Sequence, residues 1–142
     1  MGVEENLRLV REDIETFNAR DWDRYYELYA ESVVHYSPQS PEPRKGRAAF
    51  REDIEGAITA MPDSQLKVVR AFGQGDWVCL EVTSTGTHTG PFQGPGGETI
   101  PATNKPVQIQ GCALYKVEGG EITELRDYFD LLGMMAQLGL AP

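Results

Sequence analysis

Asp127 is the residue of this sequence best suited to acid/base chemistry. It lies in the segment 121–129, which is predicted to be a β-strand. Alternate side chains of a strand share a face, so Leu125, Asp127 and Phe129 should point the same way. A carboxylate between two large apolar side chains is costly to bury and normally has a partner. Asp127 is therefore a candidate general acid or base, or else one half of an ion pair that only stabilises the sheet.

Asp130 has a different predicted role, because it stands where this strand ends. An apolar segment, 131–138, follows it and is predicted to be a helix. An aspartate in this position is typical of an N-cap, whose side chain accepts a hydrogen bond from an early helical N–H group. We therefore assign Asp130 to structure and not to catalysis.

The run from Arg126 to Asp130, followed by Gly133 and by 137–139, resembles the C-terminal signature of the SnoaL-like polyketide cyclases. That family belongs to the nuclear transport factor 2-like superfamily. A similar Arg-Asp-Tyr-Phe-Asp run occurs in the limonene-epoxide hydrolases of the same superfamily. In both families the first aspartate of the run is the catalytic acid/base, and the resemblance places that role on Asp127.

The resemblance implies an enzyme that needs no cofactor and no metal. Its expected reaction is an intramolecular aldol-type cyclisation, or a related proton transfer, on a hydrophobic polyketide-like carbonyl compound. Two alternatives stay open. The first is an epoxide hydrolase in which Asp127 activates water, and the second is a ligand-binding module without catalytic activity.

His35 and His88 are the two histidines of the chain. Neither has the short spacing to another histidine, cysteine or carboxylate that is typical of a metal site. His88 lies in a segment similar to the Gly-x-His-x-Gly segment of the cyclase family. It shares strand parity with Val78 and Leu80, so it is a candidate catalytic residue near the mouth of the pocket or a structural hydrogen-bonding group. Of His35 and Tyr36 one should face inward, but parity does not say which.

The sequence also departs from the families that it resembles. A second histidine of the cyclases falls on Ala113, and the Arg-x-Asp pair of the epoxide hydrolases is missing from the segment 80–85. The base of the ketosteroid isomerases, another family of this superfamily, falls on or next to Ser37. Ala113 removes one polar partner of Asp127 from the cyclase pattern, while the other two departures make the hydrolase and isomerase mechanisms less well supported.

The elements that must position Asp127 are predicted from the apolar periodicity. Helices are expected at 3–19, at 22–30 with Asp21 as N-cap, and at 47–60; strands are expected at 32–37, 65–73, 76–88, 105–117 and 121–129. The segment 89–103 is rich in glycine and proline and is expected to be a loop.

This order predicts a single domain, 1–142, of the α+β class. The resemblance implies a nuclear transport factor 2-like cone, in which a curved antiparallel sheet and about three helices enclose a pocket. We expect the substrate to contact side chains that are mostly aromatic or apolar: Phe17, Tyr29, His35, Tyr36, Phe50, Phe92, Leu125 and Phe129.

The composition restricts the partners of the chain. A formal charge of −9 over 142 residues and a pI near 4.7 argue against nucleic acid and anionic membranes. The sequence has no apolar run that could span a bilayer, and residues 1–6 lack the basic start of a secretory signal. Cys79 and Cys112 are predicted to be buried thiols of a reducing compartment, so a cytoplasmic location is expected.

A homodimer is also expected. The sheet should have one face without helices, and Arg126 and Tyr128 would lie on it by parity. Such a face must be polar or covered, and related folds commonly dimerise through it.

Overall fold

The computed structural model describes residues 2–94 and 96–140. Four helices are present: α1 (Val3–Ala19), α2 (Trp22–Glu27), α3 (Arg47–Ala60) and α4 (Leu131–Gln137). The strands are β1 (Tyr29–Tyr36), β2 (Arg44–Lys45), β3 (Gln65–Gln74), β4 (Trp77–Thr87), β5 (Phe92–Gln93), β6 (Thr99–Ile100), β7 (Pro106–Glu118) and β8 (Glu121–Phe129).

The turn from α1 to β1 is set by local sequence. Arg20 takes a left-handed conformation with φ of 60° and ends α1, and the side chain of Asp21 accepts the Arg24 N–H as the N-cap of α2. The predicted helix 22–30 is too long, because α2 ends at Glu27. Tyr29 instead pairs with Ile122 as the first residue of β1, so sheet pairing overrides the helical pattern.

Six strands form the main sheet in the order β2-β1-β8-β7-β4-β3. All neighbours pair antiparallel except β1 and β8, which run parallel. A parallel pair requires a crossover connection, and here all the elements from β2 to β7 lie between β1 and β8 in the chain. The result is an α+β domain with helices packed on one face of the sheet, and the predicted fold class is confirmed.

The segment 89–103 is not the plain loop that its composition predicts. Phe92 pairs with Ile100 in a two-stranded hairpin of β5 and β6. Both side chains are buried in an apolar cluster, here called the outer cluster, whose buried members are Ala60, Phe92, Ile100, Val107, Met134 and Leu138. These two apolar side chains attach the glycine-rich segment to the end of α3 and to α4.

A larger apolar cluster, here called the inner cluster, fills the space between α1, α2, α3 and the sheet. It includes Phe17, Phe50 and Leu125 among its buried members. Phe129, two positions beyond Asp127 on the same face of β8, packs against the outer cluster instead. Asp127 therefore lies where the two clusters meet.

The opposite face of the sheet carries no helix among the described residues. Phe72 and Tyr128 are exposed on it. Cys79 is half-buried and Cys112 is exposed there, so the prediction of two buried thiols is wrong for Cys112. In the described part of the chain, no helix combines the length and the apolar character that crossing a membrane requires.

Candidate active site

Asp127 sits on the helix-covered face of β8, directly opposite Ala113 of β7. Ala113 and Leu125 are buried beside it, yet the Asp127 side chain keeps 36% of its surface accessible. The Asp127 carboxylate is therefore an accessible charged group between buried neighbours on this face of the sheet.

His35 is the direct partner of Asp127. Its Nε2 lies 2.7 Å from Asp127 Oδ2, and its side chain is buried. The parallel register pairs His35 with Leu125, the inward-facing residue two positions before Asp127. This pairing turns His35 inward and Tyr36 outward, which parity along β1 alone left open.

The other nitrogen of His35 also meets a carboxylate. Nδ1 lies 3.0 Å from Oδ2 of Asp53, on α3, and Arg44 of β2 donates from Nε to Asp53 Oδ1 over 3.2 Å. Arg44, Asp53, His35 and Asp127 thus form a continuous series in which positive and negative groups alternate, here called the relay. Each member comes from a different element, so the relay forms only when α3, β1, β2 and β8 are packed together.

The relay fixes the protonation state of His35. Burial by itself lowers the pKa of the imidazole, but the hydrogen bonds to Asp127 and Asp53 raise it to about 9. At neutral pH both ring nitrogens therefore donate. The imidazolium donates to Oδ2 of Asp127 and so restricts the orientation of this carboxylate.

A second buried carboxylate, Asp13 of α1, lies deeper in the inner cluster. It accepts a hydrogen bond from Tyr29 at Oδ1 and one of 3.0 Å from Tyr115 at Oδ2. Burial raises the pKa of Asp13 to about 7, although the two phenol hydrogen bonds lower it; the negative charge of Asp127 adds to the rise. The chain thus places two carboxyl groups with different environments on one side of the sheet.

His88 is not brought to Asp127. Its N–H donates to the Lys105 carbonyl, and Lys105 precedes Ala113, the neighbour of Asp127, by eight positions. That is roughly 26 Å along an extended chain. The candidate catalytic residue His88 therefore lies outside the relay.

The surroundings of His88 indicate a structural role. Thr103 donates its backbone N–H to Nδ1 over 3.3 Å, its hydroxyl lies 3.0 Å from the same atom, and the ring contacts Phe92 edge-on. The buried Nε2 has no hydrogen-bond partner within residues 2–94 and 96–140. His88 thus ties the start of the segment 89–103 to its end.

The predicted substrate contacts fall into separate groups. Phe50 packs edge-on against His35 with ring centres 5.3 Å apart, and Leu125 and Phe129 flank Asp127 on its strand. Phe17 packs in the inner cluster against Trp22 and Tyr25, Tyr29 binds Asp13, and Phe92 lies in the outer cluster with His88.

Tyr36 is placed on the wrong face for the predicted contact. It pairs in register with Arg126, whose guanidinium stacks on its ring at 3.9 Å on the helix-free face. The strand alternation that brings His35 inward necessarily sends Tyr36 outward.

Asp53, Arg44 and Asp13 were missed by the sequence reasoning. A helical signal could have identified two of them, since Asp53 follows Phe50 by three positions and Asp13 follows Val10 by three, each on an otherwise apolar stripe. Arg44 lies in a proline-rich connection and offered no comparable signal. Over the described ranges, no group of three His, Cys, Asp or Glu side chains is arranged to hold a metal ion.

Comparison with known proteins identifies the family of this chain and similar folds. The family model of the SnoaL-like polyketide cyclases matches residues 8–138. AclR from Streptomyces galilaeus, proposed to be a hydroxylase, shares 26% identity at a TM-score of 0.83, over 99% of this chain and 100% of its own. IdmH from Streptomyces antibioticus, proposed to be a polyketide cyclase, shares 25% identity at a TM-score of 0.76, over 94% and 98%.

A third solved structure is similar in fold. An LEH-like epoxide hydrolase from M. tuberculosis has 21% identity and a TM-score of 0.71, over 96% of this chain and 90% of its own. No curated protein matches the chain significantly. The family match covers nearly all of the sequence and includes the strand that carries Asp127, so the chain belongs to the SnoaL-like polyketide cyclase family.

Proposed function

We propose that this protein is an acid/base enzyme that needs no cofactor, with Asp127 as the base and His35 as the group that orients it. The single observation that carries the proposal is the 2.7 Å contact between the His35 imidazole and a carboxylate that is still 36% accessible. A carboxylate held by a buried imidazolium and open on its other side is arranged to exchange a proton with a bound molecule.

The proposed reaction is an intramolecular aldol-type cyclisation of a carbonyl compound. Asp127 Oδ1 removes a proton from the carbon next to a carbonyl, and the electron pair of the C–H bond forms an enolate. The enolate carbon attacks a second carbonyl of the same molecule, making a C–C bond and an alkoxide. Asp127 then returns the proton to the alkoxide oxygen, so the product is an isomer of the substrate and the base is regenerated.

The environment of Asp127 supports a hydrophobic substrate. Partly accessible apolar side chains pack against the two clusters that meet at Asp127: Ile54, Ile58 and Val82 against the inner cluster, and Met61, Ile109, Phe129 and Met135 against the outer cluster. Side chains of this kind favour a ligand whose rings or chains are apolar and whose carbonyl groups reach the carboxylate.

A second candidate function is epoxide hydrolysis. The imidazolium of His35 lies between two carboxylates, Asp53 and Asp127. These groups could replace the Arg-x-Asp pair of the epoxide hydrolases, which is missing from β4. Both oxygens of Asp53 are engaged, however, by His35 and by Arg44. Asp53 is therefore poorly placed to give a proton to an epoxide oxygen, and the cyclase proposal is preferred.

The test begins with a thermal-shift screen of aromatic polyketide, steroid and terpene-epoxide compounds, followed by incubation of each ligand that binds with the wild type and Asp127→Asn. The proposal predicts a product of unchanged mass that the variant does not form. A product that gains one oxygen from ¹⁸O-labelled water would establish hydrolysis instead. Ligands that bind equally to both proteins and are never converted would establish a binding module and overturn the proposal.

We also infer a homodimer that forms through the helix-free face of the sheet. The face combines exposed aromatic groups, Phe72 and Tyr128, with charges of both signs such as Arg126 and Glu124. A second copy presents the same mixture about a two-fold axis, so the apolar groups can be covered while opposite charges meet.

A further inference from the structure

Asp13 is a buried ionisable group that the proposed reaction does not use. It is 3% exposed at the middle of α1, inside the inner cluster. A buried carboxyl group is costly, and an apolar residue at this position of the stripe would pack without that cost. Its presence calls for a role that a hydrocarbon side chain could not provide.

The partners of Asp13 come from three other elements. Tyr29 of β1 and Tyr115 of β7 donate hydrogen bonds to its two oxygens. The pKa of Tyr25 of α2 is raised chiefly by burial, and the negative charge of Asp13 raises it further. Tyr115 also adjoins the relay: it pairs with Leu125, and it is the diagonal neighbour of Asp127 on the same face.

A second contact path joins the same two sites. The ring of Tyr29 packs on Phe50 with ring centres 4.3 Å apart, and Phe50 packs edge-on against His35. Two aromatic side chains, Tyr29 and Phe50, thus connect Asp13 with His35 of the relay. Charges separated by such a medium are poorly screened and influence one another more strongly than charges at the surface.

We propose that Asp13 is a second proton-binding group of the site, held by Tyr29 and Tyr115, and that its charge and the charge of Asp127 oppose each other. The inference rests on the proposed function, in which Asp127 must be ionised to act as base. While Asp13 keeps its proton, only one of the two carboxyl groups is charged, and that one is Asp127, which the imidazolium of His35 faces. Asp13 acts through Asp127 and is a positioning residue, not a catalytic one.

The burial and the Asp127 charge both raise the pKa of Asp13, to about 7, so its proton is lost within the physiological range. Tyr29 and Tyr115 donate hydrogen bonds to Asp13, and Tyr25 and Asp127 are the further titratable groups coupled to it by charge. The three phenols have pKa values raised well above the ordinary value, chiefly by burial, and stay neutral there. A titration observed at Asp13 near pH 7 is consequently that of its carboxyl group, coupled to Asp127. Separated proton affinities of this kind are how two carboxyl groups take different roles in one site.

The test is a ¹³C NMR titration of the aspartate carboxyl groups in the full chain, with the Asp13 signal assigned by its loss in Asp13→Asn. We expect a midpoint near pH 7 in the wild type. The midpoint should move to lower pH in Asp127→Asn, because a repelling charge is gone. Asp130→Asn is the matched control. It removes a carboxylate three positions after Asp127 and retains an N-cap side chain, so the Asp13 midpoint should not move.

If Asp127→Asn does not fold, Asp127→Ser removes the same charge and takes its place in the titration. An Asp13 midpoint near the ordinary value of about 4 in the wild type would overturn the inference. An equal midpoint in the wild type and in the Asp127 variant would overturn it as well. No substrate is involved, so a failed search for turnover would count against the proposed reaction without affecting this result.

Discussion

The imidazole of His35 explains why a half-accessible carboxylate on a β-strand keeps a single orientation. A carboxylate near solvent is free to rotate, but Asp127 is held at Oδ2 by a buried donor whose other nitrogen is itself held by Asp53. Arg44 then completes the balance of charges by binding Asp53. The relay therefore supplies what the proposed base needs, a fixed direction and a compensated charge.

The first prediction concerns the protonation of His35. In ¹⁵N NMR the ring should titrate near pH 9, and Asp53→Asn should lower that midpoint because one of the two carboxylate partners is lost. Glu52→Gln is the matched control, since Glu52 contacts Arg44 but not His35. Because the folded-state pKa is raised, the stability that His35 contributes is complete below pH 6.5 and is lost as the pH rises through about 9. A wild-type midpoint at the ordinary 6.5 would rule out the relay.

The elements around the site could largely be predicted from the sequence. Periodicity located α1, α3 and the long strands, and parity correctly put Leu125, Asp127 and Phe129 on one face. The residues of the relay could not be predicted in the same way. The contact of His35 with Asp53 and Asp127 depends on how β1 registers with β8 and where α3 crosses β1, which are tertiary relations that no local pattern encodes.

Ala113 gives a second example of a contact that could not be predicted from the sequence. The family resemblance places a histidine of the cyclases at this position on β7, so its absence removes one polar partner of Asp127. The structure supplies the partner from β1, the strand on the opposite side of β8. A position-by-position sequence comparison cannot identify a partner that lies on a different strand.

The second prediction concerns the close approach of β7 and β8 beside the site. A Cβ added at Gly111 would lie 2.8 Å from the Tyr128 carbonyl oxygen and 3.2 Å from Phe129 Cβ, so Gly111→Ala should force the strands apart. We expect a loss of roughly 1–3 kcal/mol in urea unfolding, the usual cost of an overpacked position. Gly56→Ala on α3 is the control, because nothing lies within 4 Å of its added Cβ. It should stabilise the protein by about 0.5–1 kcal/mol. Equal stabilisation by both changes would contradict the packing described for β7 and β8.

At the scale of the whole molecule, the sheet separates the proposed catalytic site from the proposed dimer surface. The helix-covered face holds the relay between two apolar clusters, and the helix-free face presents exposed Phe72 and Tyr128. Because alternate side chains of β8 point to opposite faces, Asp127 lies on the helix-covered face and its neighbours Arg126 and Tyr128 lie on the helix-free face. Changes on the helix-free face should therefore leave the relay intact.

The third prediction tests that separation through the proposed homodimer. Light scattering should give twice the chain mass of 15.8 kDa for the wild type and a single chain mass for Phe72→Asp, whose side chain is 60% exposed on the helix-free face. Leu132→Asp is the control, since Leu132 is 65% exposed but lies on α4, away from that face. A monomeric wild type at micromolar concentration would contradict the dimer.

The central claim is that Asp127, oriented by His35, removes a proton from carbon next to a carbonyl group. The most direct measurement is the incorporation of solvent deuterium at that carbon in D₂O, followed by NMR with the carbonyl ligands that bind the protein. We predict exchange that is catalysed by the wild type and by Asp130→Asn and that falls roughly 10²–10⁴-fold in Asp127→Asn, the usual contribution of a general base. His35→Gln, which removes the orienting cation, should also slow exchange. Exchange by folded Asp127→Asn at the wild-type rate would contradict the account.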